Sequence, residues 1–204
     1  MTKLPNRSRF IVFEGGEGSG KSTQAERLAG RLGAVLTRQP GGTPLGAELR
    51  ELLLDADLEV SDRTEALLMA ADRAQHAEEL IRPALSGGRH VVCDRYTGSS
   101  VAYQGHGRGL DPAEIAGLSA WATDGLDPDL IVLLRVDRVT SEARTGAPRD
   151  RIEAAGKGFH ERVQAGFEAQ AEADPGRWVV VDGSGTVAEV AALVDRAVSD
   201  RLGL

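Results

Sequence analysis

An apolar run from Phe10 to Phe13 breaks into a glycine-rich turn, and the residues from Gly15 to Ser22 satisfy G-x-x-x-x-G-K-[ST] without a gap. That pattern is a phosphate-binding loop. Its glycines let backbone N–H groups curl around phosphate oxygens, Lys21 can reach the terminal phosphates, Ser22 can hold Mg²⁺, and the helix that follows points its positive end at the anion. A glycine-rich turn that binds nothing would lack the flanks present here, an apolar strand before the loop and an amphipathic helix after it. Gly15, Gly16, Glu17, Gly18, Ser19, Gly20, Lys21, Ser22 and Thr23 are therefore the candidate nucleotide-binding residues. The ligand class is a nucleoside triphosphate with magnesium; the loop alone leaves the reaction open.

A chain of 204 residues with 41% hydrophobic residues suits one α/β domain around one core, so a single domain is expected over 1–204. The net charge of −7 argues against a nucleic-acid-coating surface, so anion binding must come from local arginine clusters. The lone cysteine, Cys93, excludes an internal disulfide framework and a multi-cysteine metal site. Neither a signal peptide nor a membrane span is apparent, and a cytoplasmic enzyme is the simplest reading.

Along the chain, Ala25, Leu28, Ala29 and Leu32 recur at helical spacing, Gly33 closes that helix, and Ala34 to Leu36 reads as a strand. The segment RQPGGTPLG should be a loop at the carboxyl edge of the sheet, where ligands gather. A helix is expected over Ala47 to Leu54, and a longer one from near Ser61 towards Pro83, which should kink or end it. His90 to Cys93 reads as a buried strand leading into Asp94 and Arg95, followed by the polar, glycine-studded TGSSVAYQGHGRG. Asp111–Pro112 opens a helix to about Ala122, Leu130 to Leu134 is a strand, and RTGAPRDR reads as an exposed, mobile basic loop. Phe159, Val163 and Phe167 mark a helix face, Trp178 to Val181 a last strand, and Thr186 to Glu189 a capping box. The fold class is α/β: a P-loop NTPase fold with about five parallel strands and helices on both faces.

The second acidic element is Asp94, which can organise the magnesium shell. Arg95 stands next to it, where many motor ATPases place a glutamate to activate water, and an arginine can grip phosphate instead. A phosphate acceptor is favoured over water. A GTPase switch would need an Asn-Lys-x-Asp sequence, and the only asparagine is Asn6.

Together FEGGEGSGKST, RQPGGTPLG, LLMAADRAQH, DRYTGSSVAYQG and PRDRIE resemble bacterial thymidylate kinases, in the same order and at similar intervals over nearly all of the chain. The resemblance implies transfer of the γ-phosphoryl group of ATP to dTMP, Mg²⁺ as cofactor, and a homodimer. It implies that Glu17 lies near the 3′-hydroxyl of the acceptor sugar and that Arg95 binds the acceptor phosphate, with Arg38 and Arg50 as further candidates there. Arg73 matches the arginine that reads a thymine carbonyl, Ser100 and Gln104 line the base region, and Tyr103 crowds the sugar's 2′ position. Without the family, Glu17 would read as a solvated loop charge, Arg50 and Arg73 as surface cations, and Tyr103 as a core aromatic. The basic segment corresponds to a lid at about 141–157. Because this phosphate loop carries no arginine, the cation for the transferring phosphoryl must come from elsewhere, and the lid offers Arg144, Arg149 and Arg151, with Arg149 and Arg151 favoured by the PRDR match. Lys21, Arg95, Arg149 and Arg151 are thus the catalytic candidates, and Ser22 and Asp94 the metal candidates.

Three positions depart from the family pattern. Met69 stands where many relatives stack phenylalanine on the thymine ring, Gln39 replaces a common glutamate, and Arg135 falls where aspartate is frequent. These bear on substrate discrimination more than on reaction type. Two other readings compete with dTMP phosphorylation: another nucleotide or deoxynucleoside kinase on the same scaffold, and a P-loop switch without an acceptor pocket.

Overall fold

The computed structural model describes residues 7–145 and 150–204. Five strands, β1 (Phe10–Glu14), β2 (Val35–Arg38), β3 (Val91–Asp94), β4 (Leu130–Arg135) and β5 (Trp178–Asp182), form one sheet in the order β2-β3-β1-β4-β5. Every pairing is parallel, as expected of strands alternating with helices. The helices are α1 (Lys21–Leu32), α2 (Pro44–Leu54), α3 (Asp62–His76), α4 (Arg82–Ser86), α5 (Thr97–Ser100), α6 (Pro112–Ala122), α7 (Arg138–Thr145), α8 (Lys157–Ala173) and α9 (Val187–Leu202).

Strand periodicity divides the core. In β1, Phe10 and Val12 face one side with Val91 and Cys93 of β3 and Ile131 and Leu133 of β4, packed on Ile81, Tyr103, Phe159 and Phe167. Ile11 and Phe13 face the other side with Val92, Val132 and Leu134, covered by Leu28 of α1 and by Val190, Val194 and Val198 of α9. Both faces are buried, so these strands read as continuous apolar runs instead of alternating ones. The central strand β1 aligns Phe13 with Asp94 of β3 and Glu14 with Leu133 of β4. That register sets the loop after β1 directly beside Asp94 and Arg95, at the carboxyl edge where the strand order reverses.

Local signals explain most boundaries. Thr43, Ser61, Asp111 and Thr186 each accept a backbone N–H in the first turn of α2, α3, α6 and α9, and Thr186 with Glu189 completes the expected capping box. Two segments carry wide helical turns. The helix through Pro83 does not end there: a wide π-type turn over Ala77–Ile81, with Arg82 N–H bonded to Ala77 O, passes directly into α4. Proline is tolerated because it falls in the first turn of α4, where its missing N–H is not needed. The glycine-studded stretch after Arg95 is helical, α5 continuing as a π-type segment over Val101–Gly107. Its Gly107 serves close approach, since a Cβ there would lie 2.6 Å from the Phe159 ring, as one on Gly166 of α8 would lie 2.8 Å from the His106 ring; Gly109, left-handed at φ of 79°, turns the chain at the end of the stretch. Cys93 is fully buried, with its thiol donating to Arg95 O at 3.0 Å. No helix among the described residues is long and apolar enough to cross a membrane.

Phe167 is fully buried and meets Tyr103 edge-on at 6.0 Å between ring centroids. Phe167→Ala is expected to cost about 3–5 kcal/mol of stability, read from urea unfolding; a loss under about 1 kcal/mol would mean that this helix–helix contact adds little to the core.

Candidate active site

The loop between β1 and α1 closes on itself. Lys21, only 6% exposed, donates to Gly16 O at 2.6 Å and to Ser19 Oγ at 3.2 Å. Burial, and then the neighbouring Arg95, brings its ammonium down to about 8, against the opposing pull of Glu17, Asp94 and Glu14. Ser22 donates to Asp94 Oδ2 at 2.5 Å, while the other oxygen of that carboxylate, Oδ1, is buried and has no hydrogen-bond partner. A hydroxyl and a half-satisfied carboxylate in contact suit a hard cation that takes its remaining ligands from water and phosphate oxygens. Among the described residues no larger cluster of His, Cys, Asp and Glu could hold a metal.

Arg95 ties the loop to the far side of the cleft. Its Nη1 donates to Gly15 O at 2.9 Å and Ser99 Oγ at 3.1 Å, its Nη2 pairs with Glu17, and its guanidinium lies over the Tyr103 ring at 5.0 Å. Burial would weaken its charge, but Tyr103, Glu17, Asp94 and Glu14 outweigh that and keep it firmly protonated. The backbone of Arg95 is left-handed, with φ of 70°, which costs about 1 kcal/mol or more for a residue with a Cβ. Glu14 holds it there: one carboxylate oxygen accepts the Tyr96 and Ser99 N–H groups at 2.9 Å each, and the other accepts the Ser99 hydroxyl at 2.6 Å. A single charge ending an otherwise apolar strand was the signal in the sequence for this residue.

Arg38, Gln39, Arg50, Met69, Tyr103 and Gln104 line a cavity of about 200 Å³ together with Glu17, Lys21, Ser22, Asp94 and Arg95. Phosphate-loop and acceptor candidates thus share one space. Arg50 donates to Pro40 O at 3.0 Å; burial, then Arg38 and Arg95, lowers its pKa against the opposing pull of Asp150 and Asp94. The Tyr103 hydroxyl donates to Glu17 at 3.2 Å. Arg73 and Ser100 do not line this cavity. They sit one layer behind it, with Arg73 fully buried and bonded to Ser100 Oγ at 2.9 Å and to Gln39 Oε1 at 3.0 Å.

The lid candidates separate. Arg149 lies outside the described residues. Arg151 is not at the phosphate loop: its Nη2 pairs with Glu65 at 2.7 Å and donates to Leu53 O at 3.0 Å, while its neighbours Asp150, Ile152 and Glu153 line the cavity. Its place follows from Glu65, a fully buried carboxylate on α3 that also accepts from Arg108 and Gln104. Burial pushes the Glu65 pKa up, but those bonds outweigh it and the carboxyl stays ionised. The sequence reading did not single out Glu65. Arg144, in α7, donates to Gly183 O at 2.9 Å and to Ser184 O and Gly185 O at 3.2 Å, spanning the loop before α9.

Arg95, opposed by burial and helped by Lys21, holds the Glu17 carboxyl at about 2 against an ordinary 4.5. A depressed carboxylate contributes stability above its unfolded pKa and loses it as pH falls through the folded value. Glu17→Gln is therefore expected to flatten the part of the stability profile that the parent chain loses between about pH 4.5 and 2. Parallel profiles of the urea midpoint for the two proteins would show that the ion pair does not act.

The thymidylate kinase family model matches residues 13–194. A thymidylate kinase from Leifsonia xyli subsp. xyli is 53% identical over 191 residues, covering 90% of each chain, and one from Clavibacter michiganensis subsp. michiganensis is 49% identical over 193 residues, covering 91% and 92%. Among solved structures, a thymidylate kinase from Ehrlichia chaffeensis superposes with a TM-score of 0.79 at 32% identity, covering 94% of this chain and 98% of that one. With the phosphate loop, Asp94–Arg95 and the shared cavity in one continuous arrangement over that span, the chain belongs to the thymidylate kinase family.

Proposed function

We propose that this chain transfers the γ-phosphoryl group of ATP to dTMP in line, giving ADP and dTDP. The observation that carries the reading is the single cavity into which Lys21, Ser22 and Asp94 open on one side and Arg95, Tyr103, Gln104 and Met69 on the other. Donor and acceptor groups that share one cavity need positioning and charge neutralisation, and an acceptor that is already an ionised phosphate needs no general base.

In this reading Lys21 exchanges Gly16 O and Ser19 Oγ for the β- and γ-phosphate oxygens, and the loop N–H groups complete the cradle. Ser22 and Asp94 would hold Mg²⁺, which neutralises charge developing on the phosphates. Arg95, bracketed by Gly15 O, Ser99 and Glu17, offers its guanidinium to the acceptor phosphate, with Arg38 and Arg50 on the outer wall. Tyr103 and Glu17 form a hydroxyl–carboxylate pair beside the sugar, and Gln104 and Met69 wall the base. The thioether of Met69 supplies contact area but not the full stacking of an aromatic, worth about 1–3 kcal/mol per base. The segment 141–157 acts as the lid. Arg151, tied to Glu65, holds the 150–155 turn against the cavity, which leaves Lys21, Arg95 and, from the lid, Arg144, whose Nη1 reaches Gly18 O at 3.4 Å, to meet the transferring phosphoryl.

The chain is also proposed to work as a homodimer in the cytoplasm. Leu45 and Leu52 of α2, Leu67 of α3 and Trp121 of α6 are exposed on three helices that pack side by side, Trp121 at 81%. An apolar set of this kind is the usual mark of an interface. The single buried thiol suits a reducing compartment.

Release of ADP from Mg·ATP should be fast with dTMP, slower with dUMP and other monophosphates, and near zero without acceptor. Arg95→Ala is expected to lower turnover by about 10² to 10³ with the fold intact by circular dichroism; near-normal turnover would remove Arg95 from the site, and ADP release indifferent to every acceptor would revive the switch reading. Leu67→Glu combined with Trp121→Glu is expected to yield monomers in sedimentation velocity, and a parent chain that is itself monomeric at micromolar concentration sinks the dimer.

A further inference from the structure

Of the four histidines, His76 alone is fully buried, and it belongs to no step above. Its ring joins the end of β2 and the loop after it to α3: Nε2 lies 2.7 Å from Thr37 Oγ1 and Nδ1 lies 2.9 Å from Gln39 Nε2. The loop is packed flat on the ring, since a Cβ on Gly42 would lie 2.4 Å from Nε2.

The donors and acceptors here are determined by one residue. An arginine can only donate, so the Gln39 atom facing Arg73 Nε at 3.0 Å is its oxygen. The amide nitrogen must then face His76 Nδ1 and donate to it. An imidazole accepting at Nδ1 carries its proton on Nε2, and that N–H donates to Thr37 Oγ1. A doubly protonated ring would set two donors against each other at Nδ1. Burial, and then the charge of Arg73, keeps the ring neutral by lowering its pKa to about 4.

Arg73 is the other end of the chain of bonds. Besides Gln39 it donates to Ser119 Oγ, Tyr96 O and Ser100 Oγ, so four of its N–H groups are used and one Nη1 proton remains. Every acceptor around it among the described residues is neutral. The adjacent Asp72 spends its carboxylate on Gly41 N–H at 3.0 Å. The guanidinium is therefore oriented by an amide that is itself oriented by a histidine.

We infer that His76 is a positioning residue, whose Nε2–H tautomer locks the Gln39 amide so that the Arg73 guanidinium is held ready behind the acceptor cavity. The inference rests on the reading, taken from the family resemblance, that Arg73 reaches the acceptor base from behind the cavity lining with its remaining Nη1 proton. Its consequence is a tautomer rule: a carboxylate at position 39 would offer only acceptors, so the ring would have to move its proton to Nδ1 and accept from Thr37 at Nε2.

The test uses the full chain with ¹⁵N-labelled histidine, the His76 signals being assigned by their loss in His76→Phe. His76 is expected as a single neutral tautomer protonated at Nε2, and Gln39→Glu is expected to reverse it to Nδ1–H. An Nδ1–H ring in the parent chain, or no reversal in Gln39→Glu, overturns the relay without reference to activity. In kinetics, His76→Phe is expected to raise KM for dTMP about tenfold while kcat falls less than about threefold and KM for ATP stays unchanged. An equal loss in all three reduces His76 to a core ring and overturns its positioning role. If Arg73→Gln leaves KM for dTMP unaltered, the base-contact reading falls and takes the positioning role with it, whereas the tautomer measurements distinguish that failure from a failure of the relay.

Discussion

The ion pair between Arg95 and Glu17 makes the two halves of the site one object. Without Glu17 the guanidinium would lie beside the Lys21 ammonium, two cations in a poorly solvated cleft, and the backbone of Arg95 would hold a left-handed conformation with less to offset it. Glu14 supports the same arrangement from below, through Ser99 and the first turn of α5. The parallel register of β1 with β3 puts these groups within reach, and the left-handed backbone of Arg95 redirects the chain at the sheet edge. Two carboxylates of the FEGGE segment thus do different work: the inner one shapes backbone and the outer one balances charge.

How much of this could be read from the chain depends on how far each residue's partners lie along it. The phosphate loop, the caps of α6 and α9, and the parallel sense of the strands depend on neighbours a few residues away or on apolar periodicity, and those were readable, whereas the strand order was not. The continuation of the helix through Pro83 was not, because it depends on a π-type turn that no local propensity announces. Nor was the helical state of the segment after Arg95, whose glycines look like turn residues until Phe159 of α8 is seen against Gly107.

The same distinction runs through the site. Asp94 and Arg95 carry their signal in adjacency to a buried strand. The destination of Arg151 depends on Glu65, 86 positions earlier, and a carboxylate buried inside a helix face has no sequence mark that separates it from a solvated one. Gln39 reads in sequence as the loss of a charge near a phosphate. In space it is the hinge of a hydrogen-bond chain from the neutral His76 ring to the Arg73 guanidinium, so the substitution alters which partner donates as well as how much charge is present.

Lys21 gives the phosphate loop a threshold. Its ammonium already has two oxygen partners within the loop, one of them a backbone carbonyl at 2.6 Å, so an incoming anion must displace an internal substitute before it gains anything. A singly charged or diffuse anion offers little more than the carbonyl it replaces. A polyphosphate, which presents several charges to the lysine and the loop N–H groups together, clears that threshold easily. The two internal partners of Lys21 thus set a charge-density requirement on any anion that replaces them.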